Sequence, residues 1–361
     1  MDLFKDILKE GETLFKNSVA LDFDYTPKKF MYREKEQGLM AACIKPLLQK
    51  KSGRNLIITG KPGIGKTLAC KKVLEALEQE ELPSEAEEVS TFYINCWKRN
   101  TSYKIMLELC EKIGYKFTQS KNTEDLFNIL KAALNKKNCV FVFDEIDKTE
   151  DFDFLYMILE EVYRKSIFLI TNNREFGLNL DKRIKSRLIP EIINFQPYNL
   201  NEMDGILRQR MEYAFFDNVW QEDAFQELVK KTYVLGDVRP GLFLMKHSGE
   251  IAESSSSKKI VKEHVEKSLE KLDFFFIKSS DALEDENKFI FSLIKKENDI
   301  KIGELYDIYC SEGGKSSYKT FQRKIKELKE NKFIDVKKID GGADGSTSII
   351  SRNKTKKITD F

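Results

Sequence analysis

The chain has 361 residues, 41% of them hydrophobic and 33% charged, which is the composition of a globular protein with a sizeable core. Its 61 basic and 59 acidic residues nearly balance, so net charge alone indicates no class of partner. No apolar run approaches the roughly 20 residues that span a bilayer, and the six cysteines form no CxxC pair, so we expect a cytoplasmic protein with reduced thiols.

The first 196 residues alternate short apolar runs with helical patterns, which predicts an α/β fold with a mostly parallel sheet. An acidic stretch around Pro83 suits a solvated connection. The predicted strands are 55–60, 90–96, 139–144, 166–171 and 191–196.

The first predicted strand leads into GKPGIGKT, which matches the phosphate-loop pattern GxxxxGK[ST]. Its glycines allow backbone N–H groups to surround a β-phosphate at a helix N-terminus. We expect Lys66 to reach the β- and γ-phosphates and the Thr67 hydroxyl to bind Mg²⁺, so the pattern predicts an ATP or ADP site. The predicted nucleotide-binding residues here are Gly60, Lys61, Pro62, Gly63, Ile64, Gly65, Lys66, Thr67 and Leu68.

The strand at 139–144 ends in three acids, Asp144, Glu145 and Asp147. Carboxylates clustered at the end of an apolar strand repel one another and lose hydration, which favours a bound cation. We expect this strand to lie beside the phosphate-loop strand, with Asp144 holding Mg²⁺ through water and Glu145 activating the attacking water as general base. Asp147 suits a local structural role as well as a catalytic one.

The next strand ends in Thr171 and Asn172. An asparagine at this position can reach between the central strands and orient the attacking water. Asn173 is a close competitor for that role, and an ordinary turn asparagine is the alternative.

After Pro197 the strand signal ends, and the sequence predicts a domain of four amphipathic helices. The last 80 residues follow a polar linker at 278–286 and predict three helices and two short strands around a glycine-rich tip, which is a winged helix-turn-helix. From Lys315 to Lys357 there are 13 basic and 5 acidic residues, where a polyanion would bind. The predicted domains are a base domain at 1–196, a helical lid at 197–277 and a winged helix at 278–361.

The recognition-helix candidate is SSYKTFQRKIKELKE, in which Phe321, Ile325 and Leu328 recur at helical spacing and predict a buried face. Arginine and glutamine pair with base edges, whereas lysine mostly contacts phosphate. Arg352 follows the glycine-rich tip and would lie over a minor groove, although a winged helix can also bind protein. The residues predicted to face DNA are Ser316, Ser317, Lys319, Gln322 and Arg323.

The phosphate loop, the DEID strand end, the strand ending in asparagine and the LDKRIKSRL that follows resemble AAA+ ATPases. More narrowly, the chain resembles the archaeal replication initiators of the origin-recognition-complex and cell-division-cycle (Orc/Cdc) type. DYTPKKFMYREKEQ (24–37) is similar to the segment with which that family encloses the adenine, and GDVRPGLFLMKHSGEIAE (236–253) is similar to its second sensor helix. The resemblance covers about residues 20–275 by motif and the winged helix by architecture only.

The resemblance implies roles for further residues. Asn172 matches the first sensor, and Arg239 matches the second, which touches the γ-phosphate. Arg187 matches the arginine finger that reaches a neighbouring subunit's ATP, with Arg183 the alternate, because a rigid cationic fork stabilises negative charge in the transition state. Solvated helix charges are the alternative interpretation of all three arginines.

The same family carries a helical insertion that contacts DNA, and residues 97–117 fall in the expected region. Lys98, Arg99 and Tyr103 are suited to meet phosphates there. A plain surface helix is the alternative.

Three functions are compatible with these patterns. The favoured one is an ATP-dependent replication initiator, cytoplasmic and nucleoid-associated, that binds double-stranded origin DNA with other initiator subunits and helps to recruit or load the replicative helicase, with slow ATP hydrolysis as a switch. The second is a Holliday-junction branch-migration motor, but its β-hairpin ahead of the first sensor strand has no counterpart here, because residues 148–165 predict helix throughout. The third is a transcription regulator with a structural nucleotide, which would need neither Glu145 nor Asn172.

Overall fold

The computed structural model describes residues 13–79, 88–278, 285–296, 299–314, 316–330, 334–339 and 347–352. The acidic connection around Pro83, most of the predicted linker and the glycine-rich tip lie outside these ranges. The chain divides into two compact units, which are described separately. The first unit contains Phe15–Phe216 and Thr232–Phe243, and the second contains the described residues of Met1–Leu14, Asp217–Lys231 and Leu244–Phe361. The three predicted domains have different boundaries and stay a prediction.

The first unit is built on a five-stranded parallel sheet with the order β2-β3-β4-β1-β5. All five predicted strands are present, and the predicted α/β fold is confirmed. Every residue of β1 and β3 is buried, as expected for strands covered on both faces. The strands are β1 (Leu56–Thr59), β2 (Val89–Asn95), β3 (Asn138–Asp144), β4 (Lys165–Thr171) and β5 (Glu191–Asn194).

The prediction that the Asp144 strand lies beside the phosphate-loop strand is wrong, because β4 lies between them. Ile170 of β4 pairs with Ile58 of β1 on one side and with Asp144 of β3 on the other. The apolar pattern of a buried strand does not encode its neighbours, since crossover connections in parallel sheets can skip a position. The carboxyl ends of the parallel strands still meet at one edge of the sheet, which is where ligands bind in such folds.

Helices surround this sheet. Residues 148–165 were predicted to be helical throughout, but only part of this segment is a helix. Its helix begins at Asp153, because the Asp151 carboxylate accepts a hydrogen bond from the Asp153 N–H (3.3 Å) and starts the turn there. The helix ends at Glu161, and Val162 is extended. Residues 148–164 are all described and contain no strand. The helices are α1 (Glu34–Ile44), α2 (Lys66–Gln79), α3 (Ser102–Lys112), α4 (Thr123–Leu134), α5 (Asp153–Glu161), α6 (Phe176–Asn179) and α7 (Lys182–Leu188).

All four helices predicted after Pro197 are present. Two boundaries between the compact units fall inside the second and third of these helices. The first starts with a capping box, in which Asn199 and Glu202 each accept a hydrogen bond from the other's backbone N–H at 2.9 Å. These helices are α8 (Leu200–Ala214), α9 (Glu222–Leu235), α10 (Val238–Ser254) and α11 (Lys262–Lys278).

The C-terminal part of the second unit has three helices and an antiparallel sheet with the order β6-β8-β7. The predicted buried face of its third helix is confirmed, since Phe321, Ile325 and Leu328 are at most 3% exposed. The sequence did not predict the first strand, which has only two residues. The elements are α12 (Asp285–Lys296), β6 (Ile300–Lys301), α13 (Ile302–Ser311), α14 (Tyr318–Glu330), β7 (Ile334–Ile339) and β8 (Thr347–Arg352).

Within the described ranges, no helix is both long and apolar enough to cross a membrane. The six cysteines are free thiols, and all except Cys310 are buried.

Candidate nucleotide-binding site

The predicted phosphate loop connects β1 to α2, so it leads directly into a helix N-terminus, where anions are favoured. Gly60, Gly63 and Gly65 have φ values of 150°, 69° and 89°, which residues with side chains rarely adopt. At Gly63, a Cβ atom would lie only 1.8 Å from Oδ1 of Asp237, so a larger residue would displace the Asp237 carboxylate.

Lys66 is 7% exposed, and its ammonium group donates three hydrogen bonds. The acceptors are the backbone oxygens of Gly60 (2.8 Å) and Lys61 (2.7 Å) and Oδ1 of Asn172 (2.8 Å). Burial lowers the pKa of Lys66 to about 8, against the opposing attraction of Asp144. The amine therefore lies at the loop and titrates close to neutral pH.

Asp144 at the end of β3 is 3% exposed and accepts three hydrogen bonds. Its Oδ2 accepts from the hydroxyls of Thr67 and Tyr93, both at 2.7 Å, and its Oδ1 accepts from the Glu145 N–H at 2.9 Å. Mg²⁺ prefers oxygen ligands and usually binds through one or two carboxylates together with substrate phosphates, so the adjacent Thr67 and Asp144 fit this ion. The described residues hold no group of three or more His, Cys, Asp or Glu side chains that could bind a metal without a substrate.

Tyr93 is a site residue that the sequence analysis missed, because its position in β2 only indicated a strand. Burial and the neighbouring Asp144 raise the pKa of Tyr93, so its hydroxyl stays a neutral donor. The signal lies in the strand register: Asn95 pairs with Asp144, which places Tyr93 two residues back on the same face.

Glu145 has a φ of 54°, in the left-handed region, at the point where β3 ends. Burial raises the pKa of Glu145, and repulsion from Asp144 and Asp147 raises it further. Asp147 accepts a hydrogen bond from the Thr171 hydroxyl at 2.7 Å and pairs with Lys148 at 3.3 Å, so it has a structural contact to the end of β4.

Of the two asparagines after β4, the structure brings Asn172 to the phosphate loop through its contact with Lys66. Asn173 turns away, since its Oδ1 accepts from the Glu175 N–H at 2.9 Å. The predicted sensor Asn172 therefore lies beside the phosphate loop, whereas its competitor caps a turn.

These groups line a cavity of about 420 Å³, a volume within the usual range of small-molecule sites. Pro27, Phe30 and Met31, from the segment that resembles an adenine enclosure, form part of its wall. Of the predicted nucleotide-binding residues, those that line it are Pro62, Gly63, Gly65, Lys66, Thr67, Leu68, Asp144 and Arg239, together with the predicted catalytic residues Glu145 and Asn172. Gly60, Lys61 and Ile64 belong to the loop without lining the cavity.

A second residue that the sequence analysis missed, Arg33, holds the back of the loop. Arg33 is 4% exposed. Its Nε and Nη2 donate to the Ile64 carbonyl at 3.3 and 3.2 Å. Nη2 also donates to the Gln196 carbonyl at 2.7 Å. Its guanidinium lies 3.9 Å from the ring centre of Tyr198. The sequence contained a signal, since Arg33 falls within the segment 24–37.

Arg239 and Arg187, the two arginines with predicted catalytic roles, lie in different parts of the fold. Arg239, the second residue of α10, lines the cavity and pairs with Asp237 at 2.6 Å. Arg187 in α7 is not among the cavity-lining residues; it pairs with Glu160 and lies 4.9 Å from the ring centre of Tyr156. A position outside the cavity of its own chain suits a group predicted to act on a neighbour's nucleotide, and that role stays a prediction.

Of the predicted DNA contacts at 97–117, Lys98 and Arg99 precede α3 and Tyr103 lies in its first turn. Lys98 and Arg99 are exposed, and Tyr103 is 40% exposed. Arg99 pairs with Glu108 at 2.8 Å. Their contact with DNA stays a prediction.

The predicted DNA-facing residues lie on α14 or just before it, and they separate into two groups. Ser317, Lys319, Gln322 and Arg323 are exposed, whereas Ser316 is half-buried. Ser317 accepts from the Thr320 N–H at 3.4 Å in the first helical turn, and the Ser316 hydroxyl donates to Glu286 within the fold. Arg352 ends β8, and its side chain lies outside the described part of the structure.

Comparison with known proteins identifies the family. Family models described as "AAA domain" and "Cdc6 AAA+ ATPase-type lid domain" match residues 49–176 and 204–270. The chain is 32% identical to ORC1-type DNA replication protein 2 of Methanothermobacter thermautotrophicus, over 96% of this chain and 94% of that protein. It is 33% identical to ORC1-type DNA replication protein 1 of Archaeoglobus fulgidus, over 91% of this chain and 84% of that protein.

Among solved structures, the Aeropyrum pernix ORC1 protein in complex with DNA is similar, with a TM-score of 0.75, 25% identity and 95% of each chain covered. The resemblance to archaeal replication initiators is therefore confirmed. The chain belongs to the ORC1-type DNA replication proteins, which are AAA+ ATPases.

Proposed function

We propose that this protein is an ATP-dependent replication initiator that binds double-stranded origin DNA and helps to recruit or load the replicative helicase. The proposal depends mainly on one observation, the similarity of 96% of the chain to an ORC1-type DNA replication protein. The A. pernix relative solved with DNA supports the same partner for this chain.

In the proposed site, ATP binds with its phosphates at the loop and Lys66. Thr67 would hold Mg²⁺ and Asp144 would hold it through water, and the ion would neutralise charge on the phosphate oxygens. Asn172 orients the attacking water, and Glu145 accepts a proton from it. A raised pKa makes the Glu145 carboxylate a stronger base once it is ionised, which suits this role.

Hydrolysis serves as a slow switch in this proposal. Arg239 contacts the γ-phosphate from α10 and loses that contact in the ADP state, so the two nucleotides favour different conformations. Arg187 of one subunit completes the site of the next subunit on DNA, where it stabilises the developing negative charge.

DNA binding is assigned to the C-terminal helices and strands, used as a winged helix, and to the segment at 97–117. Lys319, Gln322 and Arg323 on α14 enter the major groove, with Arg323 and Gln322 pairing with base edges. Lys98 and Arg99 contact phosphates elsewhere on the duplex, which positions the protein without reading sequence.

The test is recovery of sheared genomic DNA from the source organism by the purified protein, with ATP and near-physiological salt, followed by sequencing. Enrichment of a few loci is expected, and it should be lost in Arg323→Ala but kept in Arg174→Ala, which removes the same charge from an exposed turn after β4. Co-precipitation of the replicative helicase on the enriched DNA tests the recruitment step.

Uniform recovery of DNA would contradict the proposal and favour a branch-migration motor that recognises DNA by shape. Enrichment of promoters, with no helicase bound, would favour a transcription regulator instead.

A further inference from the structure

The carboxylate of Asp237 lies against the phosphate loop, in a position that the proposed nucleotide roles leave unused. A Cβ atom built on Gly63 would approach Oδ1 of Asp237 to 1.8 Å and Oδ2 to 2.5 Å, and the Val238 N–H points to the Gly63 carbonyl at 3.4 Å. An anion is therefore held next to the loop that is expected to receive the phosphates.

The same carboxylate holds Arg239. Nε of Arg239 lies 3.0 and 3.1 Å from the two carboxylate oxygens of Asp237, and Nη2 lies 2.6 Å from Oδ2. Such a paired, planar contact is the geometry with which arginine also binds phosphate. The Asp237 side chain is 23% exposed and that of Arg239 is 49% exposed. Arg239 also lines the cavity, so its guanidinium is within reach of a ligand there.

These contacts make Asp237 and a γ-phosphate competitors for one guanidinium. When Arg239 turns to a triphosphate, it leaves Asp237 as an unpaired anion beside the phosphates, which costs free energy. ADP leaves the ion pair in place, so this cost falls on ATP alone. After hydrolysis, Asp237 is available to recapture Arg239.

We propose that Asp237 is a specificity-determining residue, the resting partner of Arg239 that sets how strongly the site prefers ATP to ADP. This inference rests on the proposed contact between Arg239 and the γ-phosphate. Asp237 also accepts from the Arg239 backbone N–H at 2.9 Å at the start of α10, and asparagine keeps that acceptor. Asp237→Asn therefore removes the charge and retains the helix cap.

The test is a double-mutant cycle on the full chain with Mg²⁺ present. Dissociation constants for ADP and for a non-hydrolysable ATP analogue are measured in the wild type, Asp237→Asn, Arg239→Ala and the double variant. Asp237→Asn should raise the preference for the ATP analogue about fivefold, the scale of a partly exposed ion pair, and Arg239→Ala should lower it. The double variant should match Arg239→Ala. Without nucleotide, Asp237→Asn should melt only about 2–4 °C below the wild type, because it loses the same ion pair and keeps the helix cap.

The outcomes distinguish failure of this inference from failure of the proposed contact between Arg239 and the γ-phosphate. If Arg239→Ala lowers the preference and Asp237→Asn leaves it unchanged, the inference is overturned and the role of Arg239 stands. If Asp237→Asn has the same effect in the Arg239→Ala background, Asp237 acts on the phosphates directly and not through Arg239, which also overturns the inference. An unchanged preference in Arg239→Ala refutes the γ-phosphate contact and the inference together.

Discussion

Arg33 and Arg54 provide a matched pair for testing what burial adds to an arginine contact. Each bonds a carboxylate and at least one backbone carbonyl: Arg33 pairs with Glu36, and Arg54 pairs with Glu191 and donates to the Ala42 carbonyl at 2.9 Å. The side chain of Arg33 is 5% exposed, whereas that of Arg54 is 51% exposed. We compare Arg33→Met with Arg54→Met, because methionine keeps much of the volume and removes every donor.

The expected cost follows from the acceptors that are left behind. Arg33→Met leaves the carbonyls of Ile64 and Gln196 without that donor, at about 1–3 kcal/mol each, and loses the ring contact with Tyr198, worth about 1 kcal/mol. We therefore expect a loss of about 3–7 kcal/mol in the free energy of unfolding. Water replaces the Arg54 contacts, so Arg54→Met should cost at most about 1 kcal/mol.

Urea titration of both variants without nucleotide measures these costs, and titration with ADP measures binding. Because Ile64 belongs to the phosphate loop, Arg33→Met should also weaken ADP binding, whereas Arg54→Met should not. Equal losses of stability in the two variants would refute the reasoning from burial. Unchanged ADP affinity in Arg33→Met would refute the link to the loop.

Further predictions concern catalysis, the pKa of Lys66, DNA sequence preference and stability. Glu145→Gln should bind ATP normally and hydrolyse it at least about 100-fold more slowly, and unchanged turnover in a phosphate-release assay would exclude Glu145 as the base. Because burial lowers the pKa of Lys66 to about 8, ATP affinity measured by calorimetry should fall about tenfold between pH 7 and pH 9, and a flat profile would contradict the shift. The unfolded chain keeps that proton up to the ordinary value of 10.5, so the nucleotide-free protein should gain stability as pH rises from about 8 towards 10.5. Arg323→Ala should cost roughly 1–3 kcal/mol of sequence preference in competition binding, whereas an equal loss on all sequences would make Arg323 a phosphate contact. Ser316→Ala should lower the melting temperature and leave DNA affinity unchanged, because the Ser316 hydroxyl donates to Glu286 within the fold. Weaker DNA binding with an unchanged melting temperature would show instead that Ser316 contacts DNA.

The features that sequence predicted well are those written in consecutive residues. Each strand is a short apolar run between polar residues, and Gly60–Thr67 carries its own turn, lysine and hydroxyl in one segment. The buried stripe of α14 likewise follows from spacing along a single helix. Such local patterns need no knowledge of the neighbours.

What the sequence could not predict depends on contacts between distant segments. The position of β4 between β3 and β1 is set by how crossovers pack, and the apolar patterns of the three strands are interchangeable. The donors to Asp144 and to the loop carbonyl include Tyr93, in the middle of a strand, and Arg33, just before α1. Segment 24–37 was noted only for its resemblance to an adenine enclosure, which does not indicate a contact between Arg33 and the loop. The roles of Arg187 and Arg239 came from the family resemblance, whereas that of Asn172 came first from its position at a strand end. All three stay predictions.

The contact between Gly63 and Asp237 joins segments that leave the ribosome at very different times. Asp237 follows Thr67 by 170 residues, which take roughly 10–30 s to synthesise at about 5–20 residues per second. During that interval the other four strands of the sheet are synthesised, whereas Asp237 and Arg239 do not yet exist. The nascent chain therefore carries a phosphate loop before it carries the residues proposed to distinguish ATP from ADP, and completing the Thr232–Phe243 stretch is the last step in assembling this unit.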